Sequence, residues 1–399
     1  MSASGTQTPA SNAIKEVRAA TPLRVLIVRT SAMGDVLHAL PAVAAMRCQH
    51  PDWYIGWVID PRWLPLLQAK GGECVATGSP ERPIVDRVHA VPTQEWKRHP
   101  FTLSTVQGIA ALGRELRAAK YDLCVDMQGL IRSSLVGRMS GAPRYAGRHR
   151  PREGVARWLY KTKVPTQSAH VIDQGCELLG NAISCALTAG KVKMPVDAEA
   201  EAWVDDYLDR TLPKALWDRF ALLAPTAGWG AKQWPYERYG QVAIALAEAG
   251  YATLVNAYKP DDAAALAVVS ASLGCAVVAP ATLPQMIALQ RRAAIVIAGD
   301  TGPLHLAAAL GRPVVGLYGP TDPRRTGPYI GPFSGKSRVL RHTSSVVDHS
   351  RHDRTEQGLL QITVEQVVAA ALELLEESER AEAVPPETAA SGRDVKERI

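Results

Sequence analysis

Three polar clusters in this sequence have the residue types that handling a phosphorylated substrate requires. Gly299-Asp300-Thr301-Gly302 follows the apolar run Ile295–Ile297, and His305 falls in the first turn of a helix-like block that starts near Pro303 and ends at Gly311. A strand, a glycine-containing turn and a helix start make an anion site: unpaired N–H groups point out of the first turn, and the positive end of the dipole favours phosphate. An ordinary βαβ unit has the same pattern, with His305 packed or capping. Asp35 follows the strand Arg24–Arg29 and the turn Thr30-Ser31-Ala32-Met33-Gly34. That places it at a strand's C-terminal edge, where open α/β sheets bind ligands, and also where a carboxylate caps a helix. The two roles can coexist. Lys232, inside Pro225–Pro235 (PTAGWGAKQWP), brings a cation to another strand end; alone it reads as an exposed loop lysine.

Two further segments add positive charge. Arg144–Lys163 carries Arg144, Arg148, Arg150, Arg152, Arg157, Lys161 and Lys163 against Glu153, with Trp158, Leu159 and Tyr160 interleaved. As a loop it suits phosphate groups on a lipid or polyanion, with its aromatics at a membrane interface, or else it is a solvated basic face. Gln94-Glu95-Trp96-Lys97-Arg98-His99 is a solvated loop or part of an anionic-substrate site. Arg132 sits in the polar turn Met127–Ser134 after the buried strand Tyr121–Asp126.

Strands and helices alternate to hold these turns. Strands are expected at 24–29, 54–59, 85–91 and 121–126, then at 220–224, 251–255, 275–278, 295–297 and 313–318. Helices are expected from Val36, over 106–119, 170–187, 198–208, 237–249 and 261–273, and from a capping box at Thr363-Val364-Glu365-Gln366. Pro41 either kinks its helix or marks the first turn. The chain reads as two α/β halves, 21–195 and 216–362, joined by a connection at 196–215. A C-terminal helix at 363–378 follows, and disordered tails are expected at 1–20 and 379–399.

With 399 residues, 47% of them hydrophobic, the chain can bury two substantial cores. A net charge of +6 suits phosphorylated lipids, nucleotides or nucleic acid without choosing among them. The six scattered cysteines lack C-x-x-C or zinc spacing and read as reduced and mostly buried. No run is long enough to span a bilayer and residues 1–20 lack a signal-peptide core, so any membrane contact is expected to be peripheral.

Four blocks together resemble the ADP-heptose–lipopolysaccharide heptosyltransferases: Val25–Pro41 (VLIVRTSAMGDVLHALP), Asp126–Ser133 (DMQGLIRS), Pro225–Pro235 and Gly299–Pro323. The resemblance covers roughly residues 23–375 and is nearest to heptosyltransferase I. It implies an α/β fold of GT-B type, two doubly wound Rossmann-like domains facing a central cleft. It also implies inverting transfer of heptose from ADP-heptose to the octulosonate of lipid A, at the cytoplasmic face of the inner membrane. Asp35 matches the family's general base. Lys232, Asp300, Thr301, Gly302 and His305 match the donor site, with Asp261 at the ribose and the adenine near Ala281-Thr282-Leu283. Gly34, Lys97, Arg98, Arg132, Arg148 and Arg150 fall on the acceptor side. The partners implied are ADP-heptose, lipid A bearing octulosonate and an anionic membrane surface, not nucleic acid. The absence of a D-x-D pair agrees with a family that needs no obligatory metal or other cofactor.

Three rival readings stand beside this one. A relative adding a later heptose or using another acceptor would share the donor half. A nicotinamide-dependent oxidoreductase needs G-x-G-x-x-G after a strand, and the first turn offers only Gly34. A silent nucleotide-sugar or lipid-binding protein would not need Asp35, Lys232 and Asp300 together.

Overall fold

The computed structural model describes residues 22–329, 335–348, 350 and 353–383. The expected tail at 1–20 and most of that at 379–399 lie outside the described residues. Six strands build the first sheet: β1 (Arg24–Val28), β2 (Tyr54–Ile59), β3 (Arg87–Ala90), β4 (Leu123–Asp126), β5 (Arg144–Arg148) and β6 (Thr162–Val164). The second sheet holds β7 (Phe220–Ala224), β8 (Ala252–Ala257), β9 (Ala276–Pro280), β10 (Ile295–Gly299), β11 (Val314–Tyr318) and β12 (Ser337–Arg341). The orders are β3-β2-β1-β4-β5-β6 and β12-β11-β10-β7-β8-β9. Every pairing is parallel, from Val25 opposite Ile55 and Leu123 in the first sheet to Ile295 opposite Ala221 in the second. Counted within each half, the order is the same, so each sheet reverses direction between its first and fourth strands. That switch point opens a crevice at the C-terminal strand ends.

Sheets covered on both faces need strands apolar on both faces. Val25 and Ile27 of β1 enter a core with the helices Met33–Gln49 and Val171–Ile183, while Leu26 and Val28 enter another with Leu103–Ala118 and Ile131–Met139. The period of two that separates these faces recurs in β7. Ala221 and Leu223 meet Tyr236–Glu248 and Val364–Ala383, and Phe220 and Leu222 meet Ala198–Thr211 and Leu283–Arg292. The halves also share apolar contact: Met286, Ile287 and Leu306 of the second join the cluster of Val36, Leu37 and Leu40. Among the described residues no helix is long and apolar enough to cross a membrane.

Several expectations change in detail. Pro41 lies in the middle of Met33–Gln49, and its carbonyl accepts the Gly190 N–H at 3.0 Å. Arg144–Lys163 is not a loop, because the buried Tyr145, Ala146 and Gly147 form β5 and Val164 ends β6. Tyr160 is buried with its hydroxyl on Asp126 at 2.7 Å, so only Trp158 of the aromatic pair faces solvent. Residues 93–98 form a short helix whose Trp96 lies against Gly108. The C-terminal helix satisfies its capping box at Thr363 and Gln366 and runs to Ala383, past the expected 378. It continues because Glu379 has partners, the Tyr251 hydroxyl at 2.7 Å and Arg219 at 2.9 Å. Sequence patterning gave no sign of β6, β12 or the helix Leu283–Arg292. Of the cysteines, Cys124 and Cys176 are buried while Cys48 and Cys74 are exposed, so burial is less general than expected.

Candidate active site

In the second half the two strands beside the switch point, β7 and β10, each deliver one pole of an ion pair. After β7 the chain makes a short 3₁₀ turn, Gly230–Lys232, backed by the Glu356 N–H on Ala231 O at 3.1 Å. Lys232 Nζ reaches Asp300, the first residue after β10, at 2.6 Å from Oδ2 and 3.1 Å from its carbonyl oxygen. Asp300 Oδ1 meets His305 Nε2 at 3.0 Å. Burial opposes ionisation of Asp300, but the hydrogen bond and charge of His305, then those of Lys232, outweigh it and hold the carboxyl well below the usual carboxylate range. The helix Gly302–Ala309 starts here with Thr301 as N-cap, and Gly311 ends it at φ 74°. The Thr301 hydroxyl donates to Gly299 O at 3.2 Å and makes no cap bond. An oriented cation and a helix start with uncapped first-turn amides thus share one strand edge, an arrangement suited to a diphosphate.

The first half supplies a carboxylate at its own switch point. Asp35 lies in the first turn of Met33–Gln49, and its Oδ2 accepts the Ala32 N–H at 3.3 Å. Asp35 is thus not the N-cap, which is Ala32; it stands at the third helical position and accepts the N-cap residue's own N–H, as in a capping box. Its Oδ1 pairs with Arg29 at 2.8 Å and its Oδ2 lies 3.7 Å from Arg152, yet the side chain keeps 31% of its surface exposed. The turn before it is fixed from β4: Gln128 Oε1 accepts the Thr30 and Ser31 N–H groups at 2.9 and 3.2 Å, and its Nε2 donates to Ser31 O at 2.6 Å. Gln128 is itself placed by Asp126, which accepts the N–H groups of Gln128 and Gly129 at 2.8 and 3.1 Å and the Ser133 hydroxyl at 3.0 Å. Burial raises the Asp126 pKa despite these bonds. Neither Asp126 nor Gln128 was singled out from sequence, although both stand in the block Asp126–Ser133.

The two sites meet. A Cβ on Gly34 would lie 3.0 Å from His305 Cδ2, and one on Gly302 would lie 2.6 Å from Met33 Sδ, so the starts of the two helices touch across the cleft. Gly34, Asp35, Lys232, Asp300, Thr301, Gly302 and His305 are therefore brought together. Arg148 joins at the rim: its Nη1 donates to Gln174 at 3.0 Å and its Nε is buried without a partner. Burial first, then Arg29 and Arg325, push its pKa down to about 10. Arg325 comes from the second half and had no distinguishing sequence signal. Arg132 and Arg150 are exposed near the same strand ends, whereas Lys97 and Arg98 are exposed on the short helix after β3. Asp261 is exposed beyond β8, and Asp262 takes the N-cap of the next helix, accepting the Ala265 N–H at 3.0 Å.

Two doubly wound halves that meet at paired strand edges form a fold of the GT-B type. The profile of glycosyltransferase family 9 (heptosyltransferase) matches residues 109–356, and the chain belongs to that family. Lipopolysaccharide heptosyltransferase 1 of Pseudomonas aeruginosa is 29% identical over 324 residues, 79% of this chain and 83% of that protein. Lipopolysaccharide heptosyltransferase 2 of Escherichia coli K12 is 24% identical over 367 residues, 87% of this chain and 97% of that one. The solved E. coli heptosyltransferase WaaC with ADP superposes with a TM-score of 0.68 at 25% identity, covering 88% of this chain and all of that one.

Proposed function

We propose that this heptosyltransferase moves L-glycero-D-manno-heptose from ADP-heptose to the octulosonate of the lipid A inner core, with inversion, in lipopolysaccharide core synthesis. The observation that carries the reading is the contact of Gly34 with His305, which brings Asp35 of one half beside the Lys232–Asp300–His305 cluster of the other. Transfer separates an oxocarbenium-like sugar from a departing diphosphate. Lys232 and the first-turn amides of Gly302–Ala309 would hold the developing negative charge, and fixed donors of this kind contribute several kcal/mol, on the order of 3, to lowering a barrier. Asp35 would take the acceptor hydroxyl's proton as the new bond forms on the face opposite the leaving group, which inverts the anomeric centre. Asp261 would reach the ribose and the start of Leu283–Arg292 the adenine.

In this reading residues 21–195 are the acceptor half, 196–215 the connection, and 216–362 the donor half. Arg148, Arg150, Arg132, Lys97 and Arg98 receive the acceptor's anionic groups. A peripheral position on the anionic cytoplasmic face of the inner membrane is supported by exposed apolar side chains in the basic segments: Phe101 at 96%, just after Lys97 and Arg98, and Trp158 at 73%, against Arg157 and Lys163. The likeness to heptosyltransferase 2 keeps a second reading, addition of a later heptose.

Incubation of the purified protein with ADP-heptose and either lipid A bearing octulosonate or the same acceptor already carrying one heptose, read by mass spectrometry, tests both. Gain of one heptose on the first acceptor is expected. Gain only on the second establishes the later step, and gain on neither overturns both readings.

A further inference from the structure

Gly34 and His38 stand one turn apart on the same face of Met33–Gln49. Between them lies the imidazole of His305, which belongs to the other half. Its Cδ2 would be 3.0 Å from a Cβ at position 34, and its ring centroid is 4.4 Å from that of His38, with the planes inclined at 62°. His38 is held from behind by His170, ring to ring at 6.3 Å and 84°. His170 is fixed in turn. Its Nδ1 accepts the Ile172 N–H at 3.2 Å, so Nε2 carries the proton and donates to Gly327 O at 3.0 Å. The His38 Nε2 is buried and has no hydrogen-bond partner, so at that nitrogen the ring meets its neighbours as a packing surface.

We propose that His38 is a positioning residue: with Gly34 it forms a slot on the acceptor half that holds His305 in the orientation needed to bond Asp300. The contact is edge to face, as neighbouring rings prefer, and leaves the His305 Nε2 aimed at Asp300 Oδ1. Asp300 then presents its other oxygen to Lys232. The donor half alone lacks both walls of the slot, so its Lys232–Asp300–His305 cluster is fully ordered only when the halves are together. This explains why the turn and helix that carry Asp35 also carry glycine at 34, where a side chain would strike His305, and an aromatic ring at 38. The inference rests on the reading that this cluster holds the glycosyl donor.

The test is a double-mutant cycle with His38→Ala, His38→Phe, His305→Ala and His38→Ala/His305→Ala, in the full chain. Each variant is measured for ADP affinity by calorimetry and for transfer from ADP-heptose, with thermal midpoints recorded. His38→Ala is expected to weaken ADP binding and lower kcat about tenfold, within the range that sub-ångström misplacement produces, with the acceptor KM unchanged within about twofold. His38→Phe keeps a flat ring in the slot and is expected to recover to within about threefold of wild type. The double variant should be no worse than His305→Ala, because residues acting through one another are not additive. Additive losses, a phenylalanine no better than alanine, or a change confined to the acceptor KM would each overturn the proposal. Should His38→Ala fail to fold, the phenylalanine variant and its ADP affinity still decide it. A wild-type protein that binds ADP but transfers no heptose would defeat the proposed reaction, while the cycle could still be read in ADP affinity.

Discussion

Both oxygens of Asp300 are committed, one to Lys232 and one to His305, and only 6% of its side chain is exposed against 14% of the lysine's. Removing one member of such a pair leaves the other buried and uncompensated. Asp300→Asn is therefore expected to cost about 3–5 kcal/mol, read as a loss in chemical denaturation midpoint. The pH dependence has a definite sign. The folded carboxyl is held below its unfolded value, so its contribution is complete above about pH 4 and is lost as pH falls toward the folded value. A wild-type stability that falls below pH 4 more steeply than that of Asp300→Asn would show it. Asp35 differs in being partly exposed and paired with Arg29 at the mouth of the cleft. Asp35→Asn is expected to bind ADP as wild type does and to lose about 10²–10⁴ in kcat, the usual worth of a general base. Full turnover in the mass-spectrometric assay would remove Asp35 from that role.

At the scale of elements, the turn that leads to Asp35 in the first half is held by its neighbouring strand. Asp126 at the end of β4 orders Gln128, and Gln128 replaces the missing strand partners of Thr30 and Ser31. Gln128→Ala leaves two N–H groups and one carbonyl without these bonds, so a stability loss of about 1–3 kcal/mol is expected. Transfer should fall further than that loss explains, because Asp35 stands only four residues past the released Ser31; activity measured well below the thermal midpoint would separate the two. In the second half the Gly230–Lys232 turn is held by a segment distant in sequence, Thr355 Oγ1 donating to Gln233 O at 2.9 Å.

Across the whole molecule, the halves meet through histidines. Burial, then His305 and His170, push the His38 pKa well below its ordinary value, although Asp300 acts in the opposite direction and Arg29 adds to the lowering. Burial likewise lowers that of His170, against its bond to Gly327 and the charge of Asp173. Groups held neutral in this way contribute stability that is complete above their unfolded value, about 6.5, and is lost as pH falls below it. The thermal midpoint is expected to drop between pH 8 and pH 5.5, and less so in His38→Phe; equal drops would contradict this. Phe101, Leu103 and Trp158 are exposed. Replacing all three with serine should abolish sedimentation with vesicles containing phosphatidylglycerol while leaving the melting curve near that of wild type. Unchanged sedimentation, or none by the wild type, would contradict the proposed membrane contact through these side chains.

Strand and helix periodicity sufficed to read most of both sheets, because strands such as Val25–Val28 and Phe220–Ala224 are apolar on both faces and are bounded by turns. The same local chemistry marked Asp35, Lys232 and Asp300 as residues at strand ends. It could not reveal β6 or β12: β6 is a three-residue strand with two exposed positions, and none of the five residues of β12 is buried. It also could not say that Lys232, 68 residues before Asp300, would become that residue's counter-ion, nor that Gln128 would support Thr30. Local sequence sets backbone preference and the pattern of burial. Which charges pair, which amides are supported and which ring lies in which slot follow from contacts between distant segments, and these exist only once two sheets have folded and their helix starts have met.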